Sequence, residues 1–475
     1  MKFKFVLLVG VHFFSSRAFC QVLSFEKFIE QAQTFDPILR AESEKKIAAE
    51  MSANTADLVT GLRAFSQVNY LDDGRPNANP TFQGSQTLAK VFSLGVQQQN
   101  SFGFKWSLSQ NFQHTQIVNA APTAIPVPIF YDSYPKIEAS LNLWKNFAGG
   151  ETLAQVDQIR QAAKIQKLQA TLQLAQRQIE IEAIYDRVGI YKQNLFIVQD
   201  SLERAKKLLA WSESRVTRGL ADPTDRYQAQ AAVAARELEL LSVQNQLDTA
   251  SREFNKIRGL DGAQVAEDLI PRDFSLRTFE TYKSEKRTRM DIQLQKHAFL
   301  AEEAQLRGQR ESLKPTLDLS AQYLVQGRDP NFSQANENIF SEKKDSWAVS
   351  LNLSFPFDIG TAVGSRRGFA KAAEARFEQI NGKNLEAQNS WDSMVALAKQ
   401  LSNQFKILEN LEKVQKLKAD AEREKFSRGR STSFQVLSFE QDYVNIRSQK
   451  LTMELNMRNL SSQIKLFEAT ENEEN

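Results

Sequence analysis

Apolar residues recur along this chain in two different periods, and each period marks a different kind of element. Ile181, Ile184, Val188, Tyr191, Leu195, Val198, Leu202, Ala205 and Leu209 step alternately by three and four, which predicts a heptad seam on a helix. An earlier seam, Ile165, Leu168, Leu172, Ala175 and Ile179, runs in another register, so the buried face shifts along the helix. A helix that changes face has neighbours on more than one side, as in a closed ring of helices. Prolines bound the helical tracts: none lies between Pro135 and Pro223, and none after Pro356. The spacing predicts long helices over 151–218 and 361–428, 68 positions each. That is about 100 Å of helix, against roughly 11–12 residues for an ordinary one. Shorter helices are predicted over 24–58, 222–257, 284–313 and 433–469. Each is near half the long length, so 222–257 with 284–313, and 433–469 with 24–58, read as composite columns beside the long helices. The polar linker 258–283, with Gly259, Gly262 and Pro271, is expected where the halves meet.

The second period is two. Leu317, Leu319, Ala321, Tyr323 and Val325 alternate with Asp318, Ser320, Gln322 and Leu324, and Trp347, Val349, Leu351, Leu353 and Phe355 alternate with Ala348, Ser350, Asn352 and Ser354. Joined by the polar loop 326–346, they predict a strand pair suited either to a membrane barrel or to a sheet packed on a soluble core. Earlier in the chain, 62–71 and 137–143 offer similar strands. A further candidate hairpin, 88–99 with 102–110, lies between them, and Phe102, Phe104, Trp106 and Leu108 share a face of it. A segment with Pro122, Pro126, Pro128 and Pro135 follows. The insertion 72–136 is compatible with added barrel strands and with an external flap.

Ser140 to Leu143 recurs as Ser350 to Leu353, and from there the chain lies on itself at an offset of 210 without a gap. Gly150 falls on Gly360, Ala162 and Ala163 on Ala372 and Ala373, and Arg218 and Gly219 on Arg428 and Gly429. A fixed offset carrying strand, helix and turn residues together reads as a structural duplication. The organisation expected is a signal peptide at 1–20, a first repeat at 21–257 with its β section at 62–144, an equatorial linker at 258–283, and a second repeat at 284–475 with its hairpin at 317–355.

Composition narrows the chemistry. The basic start Met1 to Lys4, the apolar run Val6 to Phe14 and the small residues Ala18 and Cys20 read as a secretory signal cleaved before Gln21, in preference to lipidation at Cys20. Cleavage removes Lys2, Lys4 and Arg17, leaving as many basic as acidic side chains, without the basic excess that nucleic acid selects. It also removes the only cysteine, and His114 and His297 are then too few for a metal site or a histidine-based triad. No cofactor, metal or catalysis is expected. No run of eighteen apolar residues follows the signal, so a membrane could be crossed only by a barrel.

Two segments precede the long helices, Leu141 to Gly150 and Leu351 to Gly360. They are similar to the strand-to-helix junction of the TolC-like outer-membrane efflux proteins, and the arrangement resembles that family over essentially the whole mature chain. Phe355, Pro356 and Phe357 keep the family's apolar-Pro-apolar step, whereas Lys145, Asn146 and Phe147 depart from it. Leu313, Lys314 and Pro315 resemble its helix-to-strand crossing, where Pro315 stops a helix and sets the chain extended. Val216 to Gly219, leading to Asp225, Ala229 and Gln230, and Phe426 to Gly429, leading to Val436 and Leu437, resemble its turns at the periplasmic tip. A glycine there supplies the positive-φ position that reverses the chain, as at any helix C-cap.

The resemblance implies a mainly α fold with β: a long α-helical barrel joined to a trimeric transmembrane β-barrel. It implies an outer-membrane exit duct of a tripartite efflux or type I secretion system. The partners would be two further copies, a periplasmic adaptor, an inner-membrane transporter and outer-membrane lipid, with no nucleic acid. Carried over by position, Asp225 keeps an acidic partner of the gate, Phe426 replaces a tyrosine and Ser431 an arginine, and Gln435 and Ser438 replace an acidic ring. Arg218, Gly219, Leu220, Arg428, Gly429 and Arg430 fall where an adaptor would dock, and the two arginines Arg428 and Arg430 either make the entrance basic or compensate a helix dipole. Gly150, Pro315, Pro356 and Gly360 mark the junctions. The rival reading is a secreted coiled-coil structural or adaptor protein with a β domain of its own.

Overall fold

The computed structural model describes residues 22–272, 279, 281–283, 289–341, 344–355 and 357–468. The signal segment with Cys20, and Pro356, lie outside them. In chain order come β1 (Val22–Leu23), α1 (Phe25–Phe35), α2 (Pro37–Ser52), a 3-10 turn (Ala53–Val59), β2 (Arg63–Asp73), the short α3 (Pro80–Gln83), β3 (Gln86–Gln99), β4 (Phe104–Val118), β5 (Ile129–Asn142), α4 (Gly150–Thr217) and α5 (Pro223–Ile257). There follow β6 (Asp268–Leu269), α6 (Met290–Ser312), β7 (Thr316–Val325), β8 (Gly327–Asp329), α7 (Phe332–Ser341), β9 (Asp345–Ser354), α8 (Ile359–Ser427) and α9 (Ser433–Glu468).

Both long helices form as the periodicity predicts, and their ends at Thr217 and Ser427 keep the offset of 210, as do the starts of α5 and α9. The first short helix does not form as one piece over 24–58. Asp36 breaks it: its N–H bonds back to Ala32, while its side-chain Oδ1 accepts from Ile38 at 2.8 Å and Leu39 at 3.0 Å. A capping aspartate followed by Pro37 starts a new helix, which then decays into the 3-10 turn. Of the helix predicted over 284–313, residues 284–288 lie outside the described residues, and α6 begins at Met290.

The chain divides into two compact units: Met1–Glu44, Thr171–Met290 and Leu385–Asn475 in one, and Lys45–Ala170 and Asp291–Asn384 in the other. The second unit is built on one antiparallel sheet in the order β2-β3-β4-β5-β7-β9, with β8 also pairing to β5. The undecided insertion is therefore sheet: β3 and β4 stand between β2 and β5. Strand β5 starts earlier than 137, at Ile129, and Pro135 falls in the gap where its partner changes from β7 to β8, so no ladder bond on that side is lost. The polar loop 326–346 is not a plain loop. It carries β8 and α7, with the Phe332 ring 5.4 Å from Phe112 and the buried Asp132 accepting from Gln326 and Arg328, both at 2.7 Å.

The first unit holds two apolar cores. Phe28, Tyr185, Val188 and Phe254 centre one; Trp391, Met457, Ile464 and Phe467 centre the other. The linker expected to be merely polar contributes to both: β6 pairs in parallel with β1, and Phe279 is buried. The Tyr185 hydroxyl lies 2.9 Å from the carbonyl of Leu23 and 2.7 Å from that of Ile270, fastening both strands at one end of that pair. Burial, with the charges of Asp186 and Glu26, pushes its phenol up to about 12.

Candidate functional site

The ends of α4 and α8 are built alike. Leu220 N–H bonds to Arg215 O at 2.9 Å and Gly219 N–H to Val216 O at 3.0 Å, while Arg430 bonds to Lys425 and Gly429 to Phe426, both at 2.9 Å. This Schellman closure requires a left-handed residue, and Gly219 (φ 68°) and Gly429 (φ 73°) supply it. Arg218, Leu220, Arg428 and Arg430 all project as exposed side chains around these turns. Arg428 is ion-paired to Glu424 one turn back.

Phe426 is 5% exposed and packs on Trp211 with ring centroids 4.1 Å apart, under the Arg215 guanidinium. The position that resemblance assigns to a hydrogen-bonding tyrosine is thus an aromatic lock between α4 and α8. Ser431 Oγ lies 2.5 Å from Glu422 Oε1 and 3.1 Å from Gln435 Oε1. The Ser431 hydroxyl, with Lys425 beside it, holds the Glu422 carboxyl below its usual range. Gln435 and Ser438 are exposed on the first two turns of α9. Asp225 sits in the first turn of α5, where the helix N-terminus favours its charge, and no side-chain partner for it is seen among the described residues. The structure therefore brings Ser431 and Gln435 together but leaves Asp225 apart from them. Neither Trp211 nor Glu422 is marked by the pattern of the sequence: Trp211 falls two positions past Leu209, off the seam that ends there.

Further from the tip, Glu440 bridges Arg204 at 2.9 Å and Arg423 at 2.5 Å across three helices. Deeper still, the buried Glu182 accepts from Arg272 at 2.6 Å, Ser462 at 2.6 Å and Lys465 at 2.7 Å, and Arg272 also pairs with Asp186. The linker, α4 and α9 are joined by this one network.

At the first strand-to-helix junction the demanding residue is Gly149 rather than Gly150. Gly149 has φ 79°, and a Cβ there would stand 1.5 Å from Ser101 O, whereas at Gly150 it would meet only the flexible Glu311 side chain at 3.0 Å. Asn146 caps α4, its Oδ1 accepting from the N–H groups of Glu151 at 2.9 Å and Thr152 at 3.0 Å. Pro315 presents its carbonyl to Lys145 N–H at 3.0 Å, tying the α6-to-β7 crossing to this junction. At the second junction Asp358 caps α8 through Thr361 at 2.9 Å, and a Cβ at Gly360 would meet only Asp358 Oδ1, at an ordinary 3.5 Å.

No helix among the described residues is long and apolar enough to cross a membrane. The sheet, however, sorts its side chains by face. The rung Ala64, Val96, Leu108, Ile137, Tyr323 and Trp347 crosses all six main strands, and its far edge is exposed, Trp347 at 73%. On the opposite face Gln97, Ser107, Glu138, Gln322 and Ala348 line an open recess of about 850 Å3.

The fold is shared with the outer-membrane channel OprN (14% identity, 93% of this chain and 88% of that one, TM-score 0.67) and the outer membrane protein VceC from Vibrio cholerae (16%, 94% and 95%, 0.66). It is also shared with the Campylobacter jejuni CmeC outer membrane channel (12%, 93% and 85%, 0.66). No curated protein matches the sequence significantly. Residues 281–469 match the family model "outer membrane efflux protein". That match covers less than half of the chain. The likeness of fold, unlike the family match, extends over 93% of the chain.

Proposed function

We propose that this protein is the outer-membrane exit duct of a tripartite efflux or type I secretion system, a homotrimer that receives cargo from an inner-membrane transporter through a periplasmic adaptor. The observation that carries it is the sheet: a lipid-suited apolar face, a polar opposite face and, among the described residues, two unpaired edges, β2 and β9, and no helix able to span a bilayer. Open edges are not tolerated in lipid, so further copies must close the sheet. Exposed apolar residues on the long helices, such as Phe196, Ile407, Val414 and Leu417, likewise suit lateral partners. The work is conduction, with selectivity left to the transporter.

Asp225, Ser431, Gln435 and Ser438 make up the gate in this reading, and Phe426 locks it through Trp211. The Arg218–Leu220 and Arg428–Arg430 turns receive the adaptor. Purified protein that runs as a heat-modifiable trimer should open ion-conducting pores in a planar bilayer. Folded trimeric material that gives no pore would sink the duct and favour the coiled-coil rival.

A further inference from the structure

The hairpin β3–β4 is neither a flap nor a decoration. It pairs with β2 from Arg63 to Asp73 and with β5 from Ile129 to Leu141, so removing it would leave β2 and β5 without neighbours on that side. Its strands, 14 and 15 residues long, exceed the roughly 9–11 needed to cross a bilayer. They also continue the sorting of faces. Val96 and Leu108 lie in the apolar rung with Ile137 and Tyr323, and Gln97 and Ser107 lie in the polar rung with Glu138 and Gln322.

The turn of this hairpin is socketed into the strand-to-helix junction. The positive-φ Gly149 lies against Ser101 O, and Gly103, with φ 87°, lies against Asn146 O, where a Cβ would stand 2.5 Å away. Gln99 Nε2 donates to Thr152 Oγ1 at 2.6 Å, the same hydroxyl that the capping Asn146 contacts. Gln98 Nε2 donates to Thr60 O at 3.0 Å. Backbone packed on backbone at two glycines, with side-chain bonds on either side, fixes the hairpin in line with the start of α4.

We infer that each protomer supplies six strands to the barrel wall, β3 and β4 among them, so that three protomers close a barrel of about eighteen strands instead of the about twelve that two hairpins each would give. At roughly 16–18 strands a barrel keeps an open aqueous bore. The wall partner at each edge is a second copy of this chain, β9 of one meeting β2 of the next. The inference rests on the trimeric-duct reading above.

Single cysteines in a Cys20→Ala background test it: Val96→Cys and Leu108→Cys on the apolar rung, Gln97→Cys and Ser107→Cys on the polar rung, and Leu319→Cys in β7 as the lipid reference. Each heat-modifiable trimer is reconstituted in liposomes and exposed to a membrane-impermeant maleimide. Loss of labelling at positions 96, 108 and 319, with labelling at 97 and 107, is the result expected. Labelling at 96 and 108 while 319 stays protected would make the hairpin a flap and overturn the inference, leaving the duct intact. Labelling at 319 as well would overturn the duct and this inference with it. Direct imaging of the unsubstituted trimer gives an independent count: about eighteen strands supports the wide barrel, and about twelve overturns it.

Discussion

Gly149 lies so close to the carbonyl of Ser101 that a single added carbon would stand 1.5 Å from that oxygen. The left-handed backbone there costs another residue about 1–2 kcal/mol by itself, and the contact is with backbone, which cannot swing aside. Gly149→Ala should therefore lower the midpoint of trimer unfolding sharply and weaken the hairpin turn. Gly150→Ala, which meets only the end of Glu311, should be nearly silent. Equal effects in urea unfolding would refute this account of the junction.

The Trp211–Phe426 pair makes a second expectation. Truncating a buried aromatic costs about 3–5 kcal/mol, so Phe426→Ala should release hydrogen-exchange protection around both helical turns while the sheet keeps its own. In a cycle with Trp211→Ala the two losses should not add, with a coupling of about 0.5–1.5 kcal/mol. Additivity would mean that the rings do not hold α4 to α8.

The network around Glu182 should make stability depend on pH in one direction. Burial alone would raise this carboxyl, but the hydrogen bonds from Lys465 and Ser462 and the charge of Arg272 outweigh it and hold it below its ordinary value. A depressed carboxylate stabilises fully above its unfolded value, about 4.3, and loses that contribution as pH falls through the folded value. Unfolding scans should therefore show the wild type losing stability below about pH 4 more steeply than Glu182→Gln, which lacks the charge throughout. Glu182→Gln should cost about 3–5 kcal/mol at neutral pH, because Arg272 and Lys465 stay behind partly unpaired. Parallel pH curves for the two proteins would assign the dependence to other carboxylates.

Local patterns were legible in the sequence where one period dominates. The long helices follow from seams such as Ile181 to Leu209 and from the absence of proline, and β7 and β9 follow from strict alternation. The break at Asp36 was legible too, as an aspartate before a proline, but the helical period on either side masks it. What could not be read was set by distant contacts. Nothing local in the stretch Gln86–Val118 says whether it joins a sheet, because that depends on β2 and β5 lying beside it. Gly149 and Gly150 are likewise indistinguishable in sequence, and only the approach of Ser101 separates them. Glu422 meets Ser431 across the turn, nine positions away, and its role follows from that turn.

The composition of the tip makes the last expectation. Gln435 and Ser438, exposed on the first turns of α9, carry no charge, and Glu422, which Ser431 contacts, is buried and ion-paired with Lys425. A ring of carboxylates repeated by three-fold symmetry would draw a trivalent cation strongly, since every protomer adds its charge at one constriction. Amides and hydroxyls give no such field. Single-channel current should therefore resist hexamminecobalt added on the periplasmic side, and Gln435→Glu should confer block that weakens as salt is raised. Strong block of the unsubstituted channel would show that other carboxylates line the constriction and would remove Gln435 and Ser438 from the gate.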